Sequence, residues 1–348
     1  MTSIDVRRDD GARLPVAAVT MRALVQDRYG GPEVLRVDDV PRPHPRPGQV
    51  LIRVDASSVN ARDWHVMRGE PRVARLLDRS VFARGAPTVP VRGTDVAGTV
   101  VAVGEGVIRW RAGDRVFGEA EGAWAEYAVA AEDGVAEMPA GLSPTEAAAL
   151  PLAGTTALMC LSAGEPRPGA RLLVNGASGG VGTFAIQAAR HMGLDVTAVC
   201  SAANAAQARL MGANAVIDYA ADDFCATPER YDVVIDLVGN RSVRALRRLV
   251  RPDGTLVLSG GGVPGAGRVI GPIGLLLRAQ LLARTPGPRI VLPQARPSTA
   301  GLEEVAGLAR QGALVPVIDH RFTLSGAADA VTYVETEHPR GKVVIVMR

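Results

Sequence analysis

The rhythm of apolar positions along the chain changes near Ser143, and that change divides it. Before it, short Val-rich runs at 22–25, 50–57, 98–103 and 115–118 are set apart by Pro and Gly. This spacing predicts strands closed by turns, as in a small barrel. Residues 41–48 (PRPHPRPG) form a proline-rich connector that can be neither helix nor central strand. Ser143-Pro144-Thr145-Glu146 then puts an N-cap, a proline at the first helical position and a first-turn acid ahead of an Ala-rich helix. From Arg171 to about Ser259 strand-like and helix-like periods alternate. The predicted strands are 172–175, 195–200, 215–217, 233–237 and 255–259, with helical stretches at 183–192 and 204–211 between them. Such alternation predicts a parallel sheet with right-handed crossovers, and unbroken apolar strands suit a sheet covered on both faces. Beyond Pro293 a helix at 301–311 and β-like runs at 315–318 and 342–347 are too few for a third domain. The expected layout is a disordered extension (1–20), a β domain (21–146), an α/β domain (147–290) and a return to the first domain (291–348).

Composition narrows the class. A chain of 348 residues suits two ordinary domains, and 47% hydrophobic with 22% charged residues is globular and excludes a disordered chain. The net charge is only +3 and no basic stripe interleaves with aromatics, so no nucleic-acid partner is expected. Lys342 is the single lysine among 39 basic residues, the arginine bias of a GC-rich genome. Cys160, Cys200 and Cys225 are odd in number and form no C-x-x-C pair, which argues against disulfides and structural zinc and for the reducing cytoplasm. The first twenty residues are charged and lack the apolar core of a secretory signal. No membrane span is expected, since the best apolar run, 269–283, is broken by Pro272 and Arg278.

The chemistry concentrates where Leu172-Leu173-Val174 runs into Asn175-Gly176-Ala177-Ser178-Gly179-Gly180-Val181-Gly182 and then a helix. The fingerprint G-x-G-x-x-G is met as Ala177-x-Gly179-x-x-Gly182, with alanine first. Glycine is needed where backbone approaches a pyrophosphate and where helix packs on strand, and the helix N-terminus adds free amides and a positive dipole end. A strand before the motif and a helix after it supply the context that makes this a dinucleotide site. The next strand ends Ala198-Val199-Cys200-Ser201-Ala202-Ala203-Asn204, without the acid that would hold ribose hydroxyls and repel a 2′-phosphate. NADPH is therefore favoured, with NADH still open. Ser201 and Asn204 either bind the adenosine ribose or cap the next helix. Tyr219 either joins them or packs at the sheet end.

At this point the chain resembles the zinc-independent quinone oxidoreductase branch of the medium-chain dehydrogenase/reductases. The markers are Val59-Asn60-Ala61-Arg62-Asp63 before Gly69, Gly93-Thr94-Asp95-Val96-Ala97-Gly98, and Gly113-Asp114-Arg115-Val116-Phe117-Gly118. Further on come Ala125-Glu126-Tyr127, the segment from Leu150 to Ala157, and Gly341-Lys342-Val343-Val344. The resemblance spans nearly all of 21–348. It implies an α/β protein, a GroES-like β-barrel catalytic domain joined to a Rossmann doubly wound parallel sheet, with the nicotinamide in the cleft between them. Where zinc-dependent relatives carry a Cys three residues before an Asp, this chain has Asn60 before Asp63. In place of their Gly-His-Glu it has Gly93-Thr94-Asp95, and 150–156 holds no Cys. Asp63 and Asp95 alone do not make a tetrahedral site, so no metal is expected.

Without a Lewis acid, hydride transfer suits electron-poor acceptors such as quinones or double bonds conjugated to a carbonyl. The resemblance places Asn60 and Thr155 beside nicotinamide or substrate, and it adds Val238, Gly239 and Lys342 to the cofactor's contacts. Asp63 is expected to hold the Asn60 loop. Ser259 and Gly260, closing the last parallel strand, either approach the nicotinamide ribose or make an ordinary turn. His65, after Trp64, is either a proton donor or a packing residue. Between Gly254 and Leu302 five arginines occur without an acid. They either attract an anionic substrate or are simply solvated. Residues 289–292 are read as an edge strand that pairs two copies into a homodimer. Three readings stand: a quinone or enone reductase, an alkenal or enoyl reductase of a biosynthetic pathway, and a cofactor-binding interaction protein without turnover.

Overall fold

The computed structural model describes residues 19–79, 81–260, 272–294 and 298–347. The extension as far as residue 18, the start of the 269–283 run, Gly261, Arg268 and Arg296 lie outside them. The first half contains β1 (Thr20–Gln26), β2 (Leu35–Pro41), β3 (Gln49–Val59), α1 (Ala61–Arg68), α2 (Ala74–Leu77), β4 (Asp95–Val103), β5 (Arg115–Glu119), β6 (Tyr127–Ala131) and β7 (Val135–Glu137). Helices α3 (Pro144–Ala148) and α4 (Pro151–Gly164) lead into β8 (Arg171–Asn175), α5 (Gly180–His191), β9 (Asp195–Cys200), α6 (Ala205–Met211) and β10 (Ala215–Asp218). Next come β11 (Tyr231–Asp236), α7 (Val243–Leu249), β12 (Val250–Leu258), α8 (Pro272–Ala283) and β13 (Arg289–Val291). The chain ends with α9 (Thr299–Arg310), β14 (Ile318–Thr323), α10 (Ala327–Thr336) and β15 (Lys342–Val346).

Strands β8 to β13 form one parallel sheet in the order β10-β9-β8-β11-β12-β13. The order reverses between β8 and β11, and this is the switch point at whose carboxyl edge open α/β sheets bind ligands. Because all six strands point the same way, Asn175, Cys200, Asp218, Asp236 and Leu258 end at one edge.

The second sheet runs β14-β15-β3-β4-β5-β7, with β6 also on β3. Its register brings distant residues together: Val343 opposes Val59, so Lys342 arrives beside Asn60, while Asp95 opposes Glu119. The largest core joins the two sheets. Ala56, Ala97 and Phe117 from one pack in the same cluster as Leu172, Val174 and Phe184 from the other. Between them lie Ala147, Ala148, Ala149, Ala153 and Ala157, whose small side chains let helix and sheet backbones approach closely.

Two local expectations are corrected. The strand predicted at 315–318 begins only at Ile318, because Pro316 has no amide to give a ladder. The Val315 backbone is instead satisfied by the Gln187 side chain, which donates to its carbonyl at 3.0 Å and accepts its amide at 2.8 Å. The Asn60–Gly69 segment is no loop: Asn60 caps α1, and Gly69 closes it in the left-handed conformation at φ 60°.

Candidate active site

The phosphate turn has the local form its glycines predict. Gly176 sits at φ +86°, a conformation that suits glycine. A Cβ on Gly182 would lie 2.2 Å from the Gly176 carbonyl oxygen, so close helix–strand packing requires glycine there. Gly179 differs. Its φ is −77°, and a Cβ would meet only that same oxygen at 3.6 Å. Among the described residues nothing therefore demands glycine at Gly179, and the space before it is open to a ligand. The first helical bond runs from Thr183 N to Gly179 O at 2.9 Å, so the amides of Gly180, Val181 and Gly182 have no helical acceptor. An anion is what such a turn accommodates. Ala177 is buried beneath it, and Ser178 stands partly exposed.

At the switch point Asn175 donates to Asp236 Oδ1 at 2.8 Å. The same oxygen accepts the amides of Val238 (3.2 Å) and Gly239 (3.1 Å), which shapes the turn after β11. Burial raises the Asp236 carboxyl above its ordinary range, against the opposing pull of these donors. A Cβ on Gly260 would lie 2.6 Å from Val238 N, so the ends of β11 and β12 touch backbone to backbone. Ser259 donates its amide to Asp236 O at 3.0 Å. Asp236 is not among the residues the sequence points to, although an acid at the end of the apolar run Val233–Ile235 is a visible signal.

Ser201 follows the last residue of β9, and Asn204 closes the short helical turn ahead of α6. Both stand at N-cap positions, but neither side chain makes a capping hydrogen bond. Asn204 is buried, and its Oδ1 has no partner among the described residues. Tyr219 is 44% exposed just past β10, so it is not a core residue.

Across the cleft Asn60 is 6% exposed and uses both ends of its amide. Its Nδ2 donates to Asp95 Oδ2 at 2.9 Å, and its Oδ1 accepts from Lys342 Nζ. Asp95, fully buried, also accepts from Ser58 Oγ at 2.5 Å and from Leu152 N at 3.1 Å, which ties the start of α4 to β4. Lys342 Nζ lies 3.4 Å from Asp95 Oδ2 and 3.4 Å from Val59 O. A Cβ on Gly180 would come within 2.8 Å of the Lys342 stem, so this one side chain spans from phosphate turn to Asn60. Asp63 Oδ2 accepts the Asn60 amide at 2.8 Å, and burial lifts its carboxyl to about 6.

Thr155 lies on α4 and turns its hydroxyl back to Pro151 O at 2.7 Å, while its methyl faces Gly301. His65 stacks on Trp64 at 3.7 Å, and its Nδ1 is 3.2 Å from Glu70 O. Burial lowers its pKa, which favours the neutral ring. Glu119, Arg62 and Arg92 join this cluster and were not among the expected site residues. Burial, then the neighbouring Asp95, pushes the Glu119 carboxyl up to about 7. Arg62 Nη1 stands 3.9 Å from Glu119 Oε2, and Arg92 is buried, its Nε without a partner among the described residues. Only the strand register exposes this grouping.

A dinucleotide-binding parallel sheet opposite a polar, mostly buried cluster on a β domain defines a nicotinamide-dependent oxidoreductase. Comparison with known proteins agrees. Residues 46–140 match the alcohol dehydrogenase GroES-like domain, and residues 211–345 match the family described as zinc-binding dehydrogenase. The chloroplast envelope quinone oxidoreductase homolog of Arabidopsis thaliana is 32% identical, over 95% of this chain and 99% of its own. The NADPH-dependent alkenal/one oxidoreductase of the same plant, also chloroplastic, is 31% identical over 93% and 79%. The solved quinone oxidoreductase of Coxiella burnetii is 31% identical with a TM-score of 0.82, over 95% of this chain and 100% of its own. The chain belongs to the medium-chain dehydrogenase/reductases, in the quinone oxidoreductase branch.

Proposed function

We propose that the protein is a zinc-independent, NADPH-dependent reductase that passes hydride to a quinone or another electron-poor conjugated carbonyl. The observation that carries this reading is Asn60. It stands where zinc-dependent relatives have their first cysteine, and its carbonyl oxygen is already committed to Lys342. Thr94 and the cysteine-free segment 150–156 replace the other ligands, and zinc favours Cys, His or carboxylate. The donor set does not fit that metal, despite the name of the matching family. Among the described residues no group of three or more His, Cys, Asp or Glu forms a metal cluster.

The donor set does fit a dinucleotide. The amides of Gly180, Val181 and Gly182 would hold the pyrophosphate, and Val238, Gly239, Ser259 and Gly260 would take the nicotinamide ribose. Ser201, Asn204 and Tyr219 would take the adenosine ribose. Asp218, which pairs with Cys200 across the sheet, turns its carboxylate onto the Ala220 amide at 3.0 Å. No carboxylate closes β9 to repel a 2′-phosphate, which favours NADPH over NADH. Bound reduced nicotinamide supplies the hydride. Asn60 would orient nicotinamide and acceptor, with Asp63 fixing its backbone; Thr155, whose hydroxyl proton is given to Pro151 O, would serve them only as an acceptor.

With a panel of acceptors and both cofactors, NADPH absorbance is expected to fall with quinones and enones and to hold steady with simple ketones. Turnover confined to enones would favour the alkenal reading, which the Arabidopsis alkenal/one oxidoreductase supports. No turnover with either class would leave a cofactor-binding protein without catalysis. Three unpaired cysteines suit the cytoplasm as its site of action. The short edge strand β13 is proposed to pair with a second copy, so sedimentation should read a homodimer, and a monomer would exclude that pairing.

A further inference from the structure

Resting on that reading, we propose that Glu119, with Arg62 beside it, is the acid that protonates the acceptor after hydride arrives. His65, the donor suggested by sequence, suits the task poorly: its ring is neutral and stacked on Trp64, with Nδ1 turned to Glu70 O. Glu119 is better placed. It ends β5 directly opposite Asp95 in antiparallel register, so both side chains leave the same face of the sheet. That face carries Asn60, and Arg62 stands on the first turn of α1 two residues further on. The Glu119 side chain is 12% exposed and that of Arg62 is 50% exposed, so the pair lies at the wet edge of an otherwise buried cluster. A proton donor needs a path to solvent for reloading, and the Asp95 carboxylate opposite Glu119 is the one that holds Asn60, which the proposed reading sets beside the acceptor.

The charged groups facing Glu119 are Asp95 of β4 and Asp63 and Arg62 of α1, and Lys342 of β15 lies on the far side of Asp95. Burial and the two carboxylates hold Glu119 protonated to about pH 7, while Arg62 opposes them. In the step itself the acceptor gains two electrons with the hydride from the reduced nicotinamide and becomes an enolate or hydroquinone anion. The Glu119 O–H bond then breaks and its proton passes to that anion. The Glu119 carboxylate left behind is reprotonated by solvent water, and no other reactant is required.

The acid form must be present for turnover, so kcat should fall as pH rises through about 7. Glu119→Gln keeps the shape and removes the proton. It is expected to lower kcat roughly 10²-fold, to flatten that limb, and to leave NADPH binding and Tm near the wild type. Arg62→Ala, at a half-exposed site, should move the limb to higher pH, because a cation that favours the carboxylate is gone. Independently of activity, carbon NMR of glutamate-labelled protein should show one carboxyl titrating near neutrality that disappears in Glu119→Gln. If the wild type reduces acceptors and Glu119→Gln keeps both rate and pH profile, or if no glutamate titrates near neutrality, the role assigned to Glu119 is wrong and the reductase reading survives. If the wild type reduces nothing, both are wrong.

Discussion

Replacing Gly179 with valine should abolish detectable NADPH binding while leaving the fold standing. A valine Cβ there meets only the Gly176 carbonyl oxygen, at an ordinary 3.6 Å, and the backbone at φ −77° and ψ 176° is one a β-branched residue adopts readily. Its methyls would instead fill the space in front of the Gly180, Val181 and Gly182 amides, where the phosphates must come to hydrogen-bond distance. A weakening of at least ~100-fold, about 2.7 kcal/mol, is expected in a calorimetric titration. Gly182→Val is the contrasting variant. With only 2.2 Å to the Gly176 oxygen it should fail in folding itself, seen as a lowered Tm or as insoluble protein. Equal affinity for NADPH in Gly179→Val and wild type would mean that the phosphates lie elsewhere.

Lys342→Met should cost about 3–5 kcal/mol of stability, because it leaves the Asp95 carboxylate buried without its cation. Lys342 is 3% exposed and Asp95 fully buried, so solvent cannot replace the lost partner. The Ser58, Asn60 and Leu152 donors remain on Asp95, which favours the lower end of that range. Asn60 Oδ1 loses its donor as well, so both walls of the cleft are affected. Denaturant midpoints read the loss, and adding Asp95→Asn to Lys342→Met should recover part of it, since a neutral amide needs no counter-ion. A single-variant loss below ~1 kcal/mol would place this pair among solvated ion pairs. Composition points the same way. In a chain that has taken arginine at every other basic position, the one lysine lies in a slot bounded by Gly180, where a compact ammonium on a thin stem fits.

How much of this is legible in the sequence depends on whether a constraint is local. The phosphate turn was readable because positive φ and close approach act within seven residues, from Gly176 to Gly182. The alternation of strands and helices over 171–259 was readable for the same reason. Helix α1 is hard to see although Asn60-x-x-Asp63 is a capping signal, because its eight residues make barely two turns, too short a window for a helical period to stand out. Glu119 could not be found at all by spacing. It becomes part of the site only through the pairing of β4 with β5, and nothing around Phe117-Gly118-Glu119 announces which face it takes. Lys342 was named from resemblance, but its physical role depends on β15 lying antiparallel on β3, 283 residues from Val59.

All the chemistry assigned here depends on a dinucleotide bound at the carboxyl edge of the parallel sheet. Calorimetric titration of the wild-type protein with NADPH, repeated with NADH, tests this most directly. Saturable heat with NADPH, weaker heat with NADH and a Tm that climbs with NADPH concentration are expected. No heat and no shift of Tm with either nucleotide at saturating concentration would contradict the account.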